Sequence, residues 1–280
     1  MTRRKEAPAI GTNCANHADN VSPYGIDYHA AKAEGGPGLI PLAATVAAPL
    51  AQARANQLAL WSDEHLAGFK NVVDKCHQYG ARVSVQLHYP DREAATLAAG
   101  VQPVASAHVA SSQWVEIPPE LTTEKIYEII QKFADAARRC RAAGADAVEI
   151  QAAPGYVVGR FLSSRWNKRA DEFGGNLQNR LRFLLLIIQG IRQQVGTACP
   201  IIIRTGDLSI TEISAVVSCL EDAGVRALLV STNSGYLACL AEKIKKSAKT
   251  PVIIKFLLLP LADSLNLMAQ RIFCRLARRI

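Results

Sequence analysis

Hydrophobic residues along the chain follow two alternating patterns. Short continuous apolar runs, several of them rich in β-branched residues, predict strands that are buried on both faces. They lie at residues 39–40, 82–87, 147–150, 200–204, 226–232 and 251–255, with a weaker strand-and-turn segment at 7–13. Apolar residues three and four positions apart predict amphipathic helices between them, at residues 61–80, 122–140, 183–191 and 213–220. Strands that alternate with helices predict a parallel sheet of the α/β class.

Polar residues mark where several of these helices begin. Ser62 precedes two acidic residues and is the predicted N-cap of the helix at 61–80. Thr122 is the predicted N-cap of the next helix, which we expect to end at Gly144. Ser209 and Glu212 have the spacing of a capping box, in which each side chain bonds the backbone of the other.

The size of the chain agrees with this pattern. At 280 residues, 49% of them hydrophobic, it is long for one ordinary domain but normal for an α/β barrel. The alternation of strand and helix persists for roughly seven units. No internal repeat of about 20–50 residues accompanies it, so a solenoid is not expected. We predict one main α/β domain.

The net charge of the chain and its distribution indicate which classes of partner to expect. The chain carries 32 basic and 24 acidic residues, a net charge of +8, and four C-terminal arginines supply half of the excess: Arg271, Arg275, Arg278 and Arg279. A basic tail can bind nucleic acid or anionic lipid. However, no aromatic residues are interleaved with the charges, and no nucleic-acid motif is present. Nucleic acid is therefore not an expected partner.

Cysteine spacing and the chain ends indicate the compartment. The seven cysteines are scattered without a C-x-x-C pair, which predicts reduced, buried thiols and no iron–sulfur or other metal site. The first residues lack the apolar core of a secretory signal. The apolar run at 252–261 is interrupted by Lys255 and Pro260 and is too short to span a membrane. A cytoplasmic protein without a transmembrane segment is expected.

The segment between the strand at 147–150 and the helix at 183–191 is the most informative part of the chain. It spans roughly thirty residues, whereas most such connections have about two to six, so a functional role is predicted. It also follows the carboxyl end of a parallel strand, where α/β barrels place their active sites.

Residue runs in this segment resemble the signature of the Old Yellow Enzyme family of FMN-dependent NAD(P)H oxidoreductases. They are FLS at 161–163, NKR at 167–169, DEFGG at 171–175, NR at 179–180 and RF at 182–183. The runs GTN at 11–13 and GGPGLI at 35–40 resemble the 2,4-dienoyl-CoA and 2-enoate reductases of that family. The resemblance implies a TIM (β/α)8-type barrel, FMN as cofactor, NAD(P)H as reductant and an activated alkene as substrate.

Four residues match flavin-binding positions of the family: Pro8, Thr12, Gln86 and Arg204. The resemblance implies that Gln86 hydrogen-bonds the flavin pyrimidine, since an amide donates and accepts at once. It also implies that Arg204 stabilises the anionic reduced flavin. Residue chemistry leaves alternatives open: a disordered N-terminus, a solvated glutamine at a strand end, and an ion pair between Arg204 and Asp207.

Tyr156 and Gln151 occupy the positions that the resemblance assigns to substrate chemistry. Tyr156 matches the proton-donating tyrosine, although an aromatic ring in a loop also serves as an anchor. Gln151 and Pro154 replace the pair that polarises the substrate carbonyl. Glutamine still offers an amide N–H, whereas proline offers no donor. Loss of one such donor costs about 2.7–4 kcal/mol of transition-state stabilisation, so impaired enone reduction is expected.

The family pattern ends near residue 254. The glycine pair and the Gly-Arg that hold the flavin phosphate in the family are absent after Pro251. We therefore predict an Old Yellow Enzyme-like barrel at residues 1–255 and a divergent Leu/Arg-rich helix at 256–280, with the eighth strand missing or replaced. An open barrel edge must be covered by this tail or by another chain, which leaves a homo-oligomer open.

Two functions follow from these features. One is an FMN-dependent, NAD(P)H-oxidising ene-reductase with impaired activity. The other is a flavin-free pseudoenzyme of the same family that binds a small molecule or interacts with a partner. Flavin binding separates the two.

Overall fold

The fold is described by a computed structural model for residues 6–7, 9–16, 20–49, 56–90, 120–153, 155–206, 208–231 and 237–254. Within these ranges six strands form one sheet. They are β1 (Leu39–Val46), β2 (Arg82–His88), β3 (Ala147–Ala152), β4 (Ile201–Thr205), β5 (Ala227–Val230) and β6 (Val252–Ile254). Each corresponds to a strand predicted from the apolar pattern, with ends that differ by a few residues.

Helices alternate with these strands. They are α1 (Pro23–Glu34), α2 (Leu66–Gln78), α3 (Thr123–Ala142), α4 (Val157–Leu162), α5 (Leu177–Val195), α6 (Ile213–Asp222) and α7 (Leu237–Ser247). A short 3₁₀ turn, Asp63–His65, leads into α2. The longest helices, α3 and α5, pack against each other on the outside of the sheet.

The strands lie side by side in chain order, and each pairs in parallel with the next. The N-terminal segment precedes β1 in this order, because Glu6 and Gly11 bridge in parallel to Leu39 and Ala43. It therefore stands where the first strand of a (β/α)8 barrel belongs. The predicted loss of strand eight and the helix at 256–280 concern residues outside the described ranges.

Two apolar clusters lie on opposite faces of the sheet. The larger, between strands and helices, includes Val83, Val148 and Ile203. The smaller lies on the inner face and is formed by Ala147, Ile202, Ala227 and Leu229, with Leu39 and Ile253 against it. Since alternate residues of a strand face opposite sides, the inward positions beyond this cluster on β2, β3 and β4 are polar: Gln86, Glu149, Gln151 and Arg204. Apolar packing thus fills the lower part of the inner face and leaves its carboxyl end polar.

Helix starts agree with the sequence at two positions and differ at a third. Thr122 accepts a hydrogen bond from the backbone N–H of Lys125, as predicted for an N-cap. Ser62 is also an N-cap, but of the 3₁₀ turn before α2. The capping box at Ser209 and Glu212 is wrong: no side chain caps α6, and the Glu212 carboxylate instead accepts from Arg180.

Three helical features lie outside the sequence predictions. Helix α1, capped by Ser22 with Pro23 in its first turn, was not predicted. Helix α4 interrupts the long connection after β3, which was predicted as loop alone. Helix α5 begins at Leu177 under an Asn176 cap, before the predicted start at residue 183.

The described cysteines are free thiols. Cys76, Cys140 and Cys199 are buried as predicted, whereas Cys14 and Cys219 are partly exposed and Cys239 is exposed. Burial raises the pKa of the Cys76 thiol to about 11, so it stays protonated at neutral pH. Among the described residues, no helix combines the length and the hydropathy needed to cross a bilayer.

Candidate active site

The carboxyl ends of β2, β3 and β4 bring three predicted site residues together. In the register of the sheet, Gln86 pairs with Glu149, and Gln151 pairs with Arg204. Paired residues of parallel strands project to the same face, so these side chains share the inner face of the barrel. Gln86 and Gln151 are in contact, since the Gln151 Nε2 lies 3.3 Å from the Gln86 Oε1.

A directional chain of hydrogen bonds runs through these amides. The backbone N–H of Ala153 donates to the Gln151 Oε1 at 3.1 Å. The Gln151 Nε2 donates to the Gln86 Oε1, and the Gln86 Nε2 donates to the Glu149 Oε1 at 2.5 Å. We refer to Ala153, Gln151, Gln86 and Glu149 as the amide chain. The alternative of a solvated glutamine at residue 86 is wrong, because its side chain is buried.

Glu149 was not singled out from the sequence. Its carboxylate is completely buried on the inner face, within the predicted run 147–150, whose other members are apolar. A carboxylate buried at such a position needs hydrogen-bond donors, and one of them is the Gln86 amide. A charged residue inside an otherwise apolar strand was the available signal for this partner.

Arg204 lies at the same level as the amide chain, one strand further along the sheet. Its Nη2 donates to the Ser231 Oγ at 2.9 Å. Its Nε is buried and has no hydrogen-bond partner among the described residues. Asp207 lies outside these residues, so an ion pair with Arg204 stays a prediction. The guanidinium therefore keeps a buried donor available beside Gln151, its partner in the sheet register.

Of the two site residues predicted in the N-terminal segment, Thr12 belongs to the described residues and Pro8 does not. Thr12 is half-buried, and its hydroxyl is a buried oxygen without a hydrogen-bond partner among the described residues. Its neighbour Gly11 bridges to Ala43 of β1, which places Thr12 beside the carboxyl end of that strand. Pro8 lies outside the described residues.

Tyr156 stands at the start of α4, on the rim above β2. Its ring meets the His88 ring edge-on, with centroids 5.3 Å apart, and its backbone bridges to Pro90. His88 is fully buried, and its Nε2 lies 2.8 Å from the Gln57 Nε2. Because an amide nitrogen only donates, the His88 Nε2 accepts and its proton resides on Nδ1. Burial lowers the pKa of His88 to about 3, so the ring is neutral at physiological pH.

The signature residues downstream brace the rim. Asn167 donates from Nδ2 to the carbonyl oxygens of Phe161 and Phe173, at 2.8 and 2.7 Å. Arg169, almost completely buried, donates to Asp171 and to the Leu121 carbonyl oxygen. The Arg169 guanidinium also lowers the pKa of Asp171 through direct hydrogen bonds. These contacts tie the loop after α4 to the start of α3.

Arg180 performs the same task further along the chain. Its guanidinium donates to the carbonyl oxygens of Leu162 and Gly175, at 3.1 and 2.7 Å, and to the Glu212 carboxylate at 2.5 Å. It thereby joins the end of α4, the start of α5 and the start of α6. The long connection is therefore held by hydrogen bonds from buried side chains on both sides of α4, the helix at whose start Tyr156 stands.

Comparison with known proteins places this arrangement in a family. The model of the NADH:flavin oxidoreductase / NADH oxidase family matches residues 2–252. The chain is also 30% identical over 270 residues to the NADPH dehydrogenase of Clostridium acetobutylicum, covering 90% of this chain and 79% of that protein. The chain belongs to the NADH:flavin oxidoreductase / NADH oxidase family. The resemblance to the Old Yellow Enzyme family is thereby confirmed, and family membership implies FMN as cofactor and NAD(P)H as reductant.

Another relative in the NADH:flavin oxidoreductase / NADH oxidase family is longer than this chain. The chain is 38% identical over 270 residues to the NADH oxidase of Thermoanaerobacter brockii, covering 88% of this chain but 42% of that protein. It thus spans less than half the length of that relative.

Solved structures in the comparison agree on the fold. The chain superposes on 2-naphthoyl-CoA reductase with a TM-score of 0.82 at 27% identity, over 90% of this chain and 44% of that one. It superposes on morphinone reductase with a TM-score of 0.80 at 24% identity, over 90% and 75% of the two chains. The predicted TIM-barrel-type fold is confirmed.

The polar residues of the inner face fit the flavin that this family uses. A pyrimidine ring carries both acceptors and a donor, and the Gln86 amide keeps one N–H and part of its oxygen for such a ring after its two bonds within the amide chain. The unpartnered Arg204 Nε and Thr12 hydroxyl are buried groups that a bound ligand would satisfy. Leaving such groups unpaired costs about 1–3 kcal/mol each, which favours occupancy by a polar ligand.

Proposed function

We propose that the protein is an FMN-dependent NAD(P)H oxidoreductase that reduces activated C=C bonds, with lower activity than a family member that keeps the carbonyl-polarising pair. The observation that carries the proposal is the cluster of buried polar groups at the carboxyl ends of β2 to β4, together with Thr12 beside β1. Within the described part of the chain, the Arg204 Nε and the Thr12 hydroxyl have no hydrogen-bond partner. Enzymes with α/β barrels place their active sites at this end of the barrel, and the family supplies the cofactor class.

Two side chains are proposed to hold the flavin in its reactive orientation. When bound, FMN supplies the hydride-accepting and hydride-donating chemistry that amino acids lack. Gln86 would bond the pyrimidine edge, and Arg204 would place its positive charge beside the ring atoms that become negative on reduction. Thr12, and Pro8 by its position in the sequence, would line the same ring from the N-terminal segment.

Tyr156 is proposed to deliver the proton that alkene reduction requires. Its hydroxyl would donate to the substrate carbon next to the activating carbonyl, as a general acid positioned at the rim. The edge-on contact with His88 limits how the ring can turn. The hydrogen bond from Arg180 to the Leu162 carbonyl oxygen holds the end of α4, the helix that begins after Tyr156. The alternative role as a loop anchor uses the same contacts and predicts no effect on chemistry when the hydroxyl alone is removed.

Polarisation of the substrate carbonyl is the weakest part of the proposed site. Gln151 stands at one of the two family positions, but its oxygen and one amide hydrogen are engaged in the amide chain. Pro154 stands at the other and has no N–H. The proposal therefore includes slow turnover of simple enones, by about a hundred- to a thousandfold for one missing donor.

The test is a titration of the purified protein with FMN. Binding should shift the flavin absorption band near about 450 nm and quench its fluorescence. Anaerobic addition of NADH or NADPH should then bleach the band. Arg204→Met serves as the matched variant and should weaken FMN binding by about tenfold or more, because the partly buried positive charge is lost while the unbranched apolar stem is kept. If excess FMN showed neither a shifted absorption band nor quenched fluorescence in the presence of the protein, the proposal would be refuted.

A flavin-free member of the family is the second proposal. It is favoured by the absence of the two phosphate-binding motifs from the sequence after Pro251 and by the replaced carbonyl-polarising pair. Such a protein would keep the barrel and act by binding a small molecule or a partner. The FMN titration separates the two proposals directly.

A further inference from the structure

The two ends of the amide chain fix its direction. At one end the Ala153 backbone N–H donates, so the Gln151 side chain must present its oxygen there. At the other end the Glu149 carboxylate accepts, so Gln86 must present its nitrogen. A half-turn of either amide would place N–H against N–H or oxygen against oxygen. Neither glutamine can turn over without breaking at least two bonds.

The hydrogen bonds of the amide chain matter for stability and orientation because the side chains that form them are buried. Gln86 and Gln151 are each 1% exposed and Glu149 is 0% exposed. No bulk water is present to replace a missing partner, so loss of one bond leaves a buried polar atom unsatisfied. The Gln151 Nε2 is thus the described group that holds the Gln86 oxygen in place.

The orientation of Gln86 decides what a flavin would meet. In the observed orientation the amide keeps one N–H beyond its bond to Glu149, and its oxygen keeps a second acceptor direction beyond its bond to Gln151. In the opposite orientation donor and acceptor would exchange places relative to the pyrimidine ring. Whatever fixes this orientation therefore contributes to flavin affinity without touching the flavin.

We propose that Gln151 is a positioning residue for Gln86, and that it fixes the orientation of the Gln86 amide toward the flavin pyrimidine instead of polarising a substrate carbonyl. The inference rests on the proposed function insofar as the ligand is FMN. It assigns Gln151 a role different from that of the substrate-binding residue predicted at this position, because its oxygen and one hydrogen face the protein.

A double-mutant cycle on FMN affinity tests the positioning role. Gln86→Leu should weaken FMN binding by about tenfold, and Gln151→Leu by about three- to tenfold. If Gln151 acts through Gln86, the double variant should bind FMN within about twofold of Gln86→Leu alone. Independent contacts with the ligand would instead make the two losses multiply, and that outcome would overturn the inference.

Two further variants guard against a general loss of structure. Gln151→Glu keeps the size and the acceptor for Ala153. At a pH where its carboxyl is ionised it offers no hydrogen to Gln86, so it should then weaken FMN binding as Gln151→Leu does. Gln131→Leu, at an exposed position of α3, should leave FMN binding unchanged. Wild-type affinity in Gln151→Glu would contradict the proposed donor role.

A second test uses NMR spectroscopy and does not require FMN. In protein labelled with ¹⁵N-glutamine, the side-chain NH₂ pair of Gln86 is identified by its loss in Gln86→Leu. That pair should shift, and its exchange with water should quicken, in Gln151→Leu and Gln151→Glu but not in Gln131→Leu. An unchanged Gln86 pair would overturn the inference. If wild-type protein binds no FMN, the proposed function fails, and this arm still decides whether Gln151 orients Gln86.

Discussion

The phenol ring of Tyr156 stands edge-on to the imidazole ring of His88, with centroids 5.3 Å apart and ring planes at 80°. This geometry places the electropositive edge of one ring against the face of the other and is favourable by about 0.5–1.5 kcal/mol. Because His88 is neutral, it orients Tyr156 by packing and does not add a charge beside the phenol. Side-chain orientation and proton transfer can therefore be tested separately.

Tyr156→Phe should keep the ring contact and remove the proton. We expect hydride transfer from NAD(P)H to proceed as in the wild type, because that step needs no proton from Tyr156. Reoxidation by an activated alkene should slow by about 10²–10⁴-fold. Stopped-flow measurement of the two half-reactions checks this, with Tyr24→Phe, an exposed tyrosine, as control. Equal alkene rates in Tyr156→Phe and wild type would assign Tyr156 to loop anchoring.

Sequence reasoning located the strand ends of the site because parallel strands meet at one edge. Gln86, Gln151 and Arg204 come from three separate runs, and the structure brings them to the same level of the inner face. Their hydrogen-bond partners could not be predicted, since these depend on the register of neighbouring strands. Glu149 is the example: its partner Gln86 is 63 positions away in the sequence.

Helix α1 was missed, and the cap of α6 was wrongly predicted, because the local sequence signals there were weak or were replaced by a tertiary contact. Ser22 followed by Pro23 is a helix-start signal, yet α1 has only a faint apolar stripe, with Gly25, His29 and Ala33 buried. Glu212 has capping-box spacing, but Arg180 offers it a charged partner from a distant segment. The tertiary contact with Arg180 thus replaced the local capping interaction at Glu212, because a hydrogen bond between a guanidinium and a carboxylate is stronger than one between neutral groups.

Stability should fall between neutral and mildly acidic pH because of His29 and His88, two of the three histidines that are buried in the described part of the chain. Burial lowers the pKa of His29 to about 4 and that of His88 to about 3, both from 6.5. Below pH 6.5 the unfolded chain therefore binds more protons than the folded one, and the free energy of unfolding decreases as pH falls toward these values. Between pH 7 and 5 the loss should be about 2 kcal/mol for each histidine.

Urea unfolding at pH 5 and pH 7 measures this loss. His29→Gln should remove about half of the difference between the two pH values, since His88 remains. Carboxylates with lowered pKa, such as Asp171, lose their contribution only at more acidic pH and leave this window unaffected. A pH dependence that is the same in His29→Gln and wild type would contradict the assignment.

Adjacent glycines in the signature loop should respond differently to alanine. A Cβ at Gly174 would lie 2.1 Å from the Arg169 carbonyl oxygen, a contact that only a backbone shift could relieve. A Cβ at Gly175 would meet nothing within 4 Å, but its φ of +80° is unfavourable for other residues. Gly175→Ala should cost about 1–2 kcal/mol, and Gly174→Ala should cost more, about 3 kcal/mol, through overpacking. Thermal unfolding of the two variants gives the order, and equal costs would argue against the close approach at Gly174.

Two arginines of helix α5 allow a measurement of how much the Arg180 contacts with Leu162, Gly175 and Glu212 contribute to stability. The Arg180 side chain is 5% exposed and joins two carbonyl oxygens and Glu212. The Arg182 side chain is 38% exposed; its Nε donates to the Glu172 carbonyl oxygen at 2.8 Å and lies 3.8 Å from the Glu172 carboxylate. Arg180→Leu leaves these acceptors without a donor and should cost about 3–5 kcal/mol, toward the lower end because Glu212 keeps contact with water. Arg182→Leu should cost about 1 kcal/mol or less.

The Arg180 contacts and the site are linked through α4, so the two arginine variants should also differ in function. Loss of Arg180 frees the Leu162 carbonyl at the end of α4, and Tyr156 stands at the start of that six-residue helix. In folded Arg180→Leu protein at low temperature, alkene-dependent reoxidation should therefore fall while FMN affinity, set by β2 and β4, stays near the wild-type value. Arg182→Leu should leave both unchanged. If Arg180→Leu lowers FMN affinity as much as it lowers reoxidation, the long connection supports the whole barrel mouth and not Tyr156 in particular.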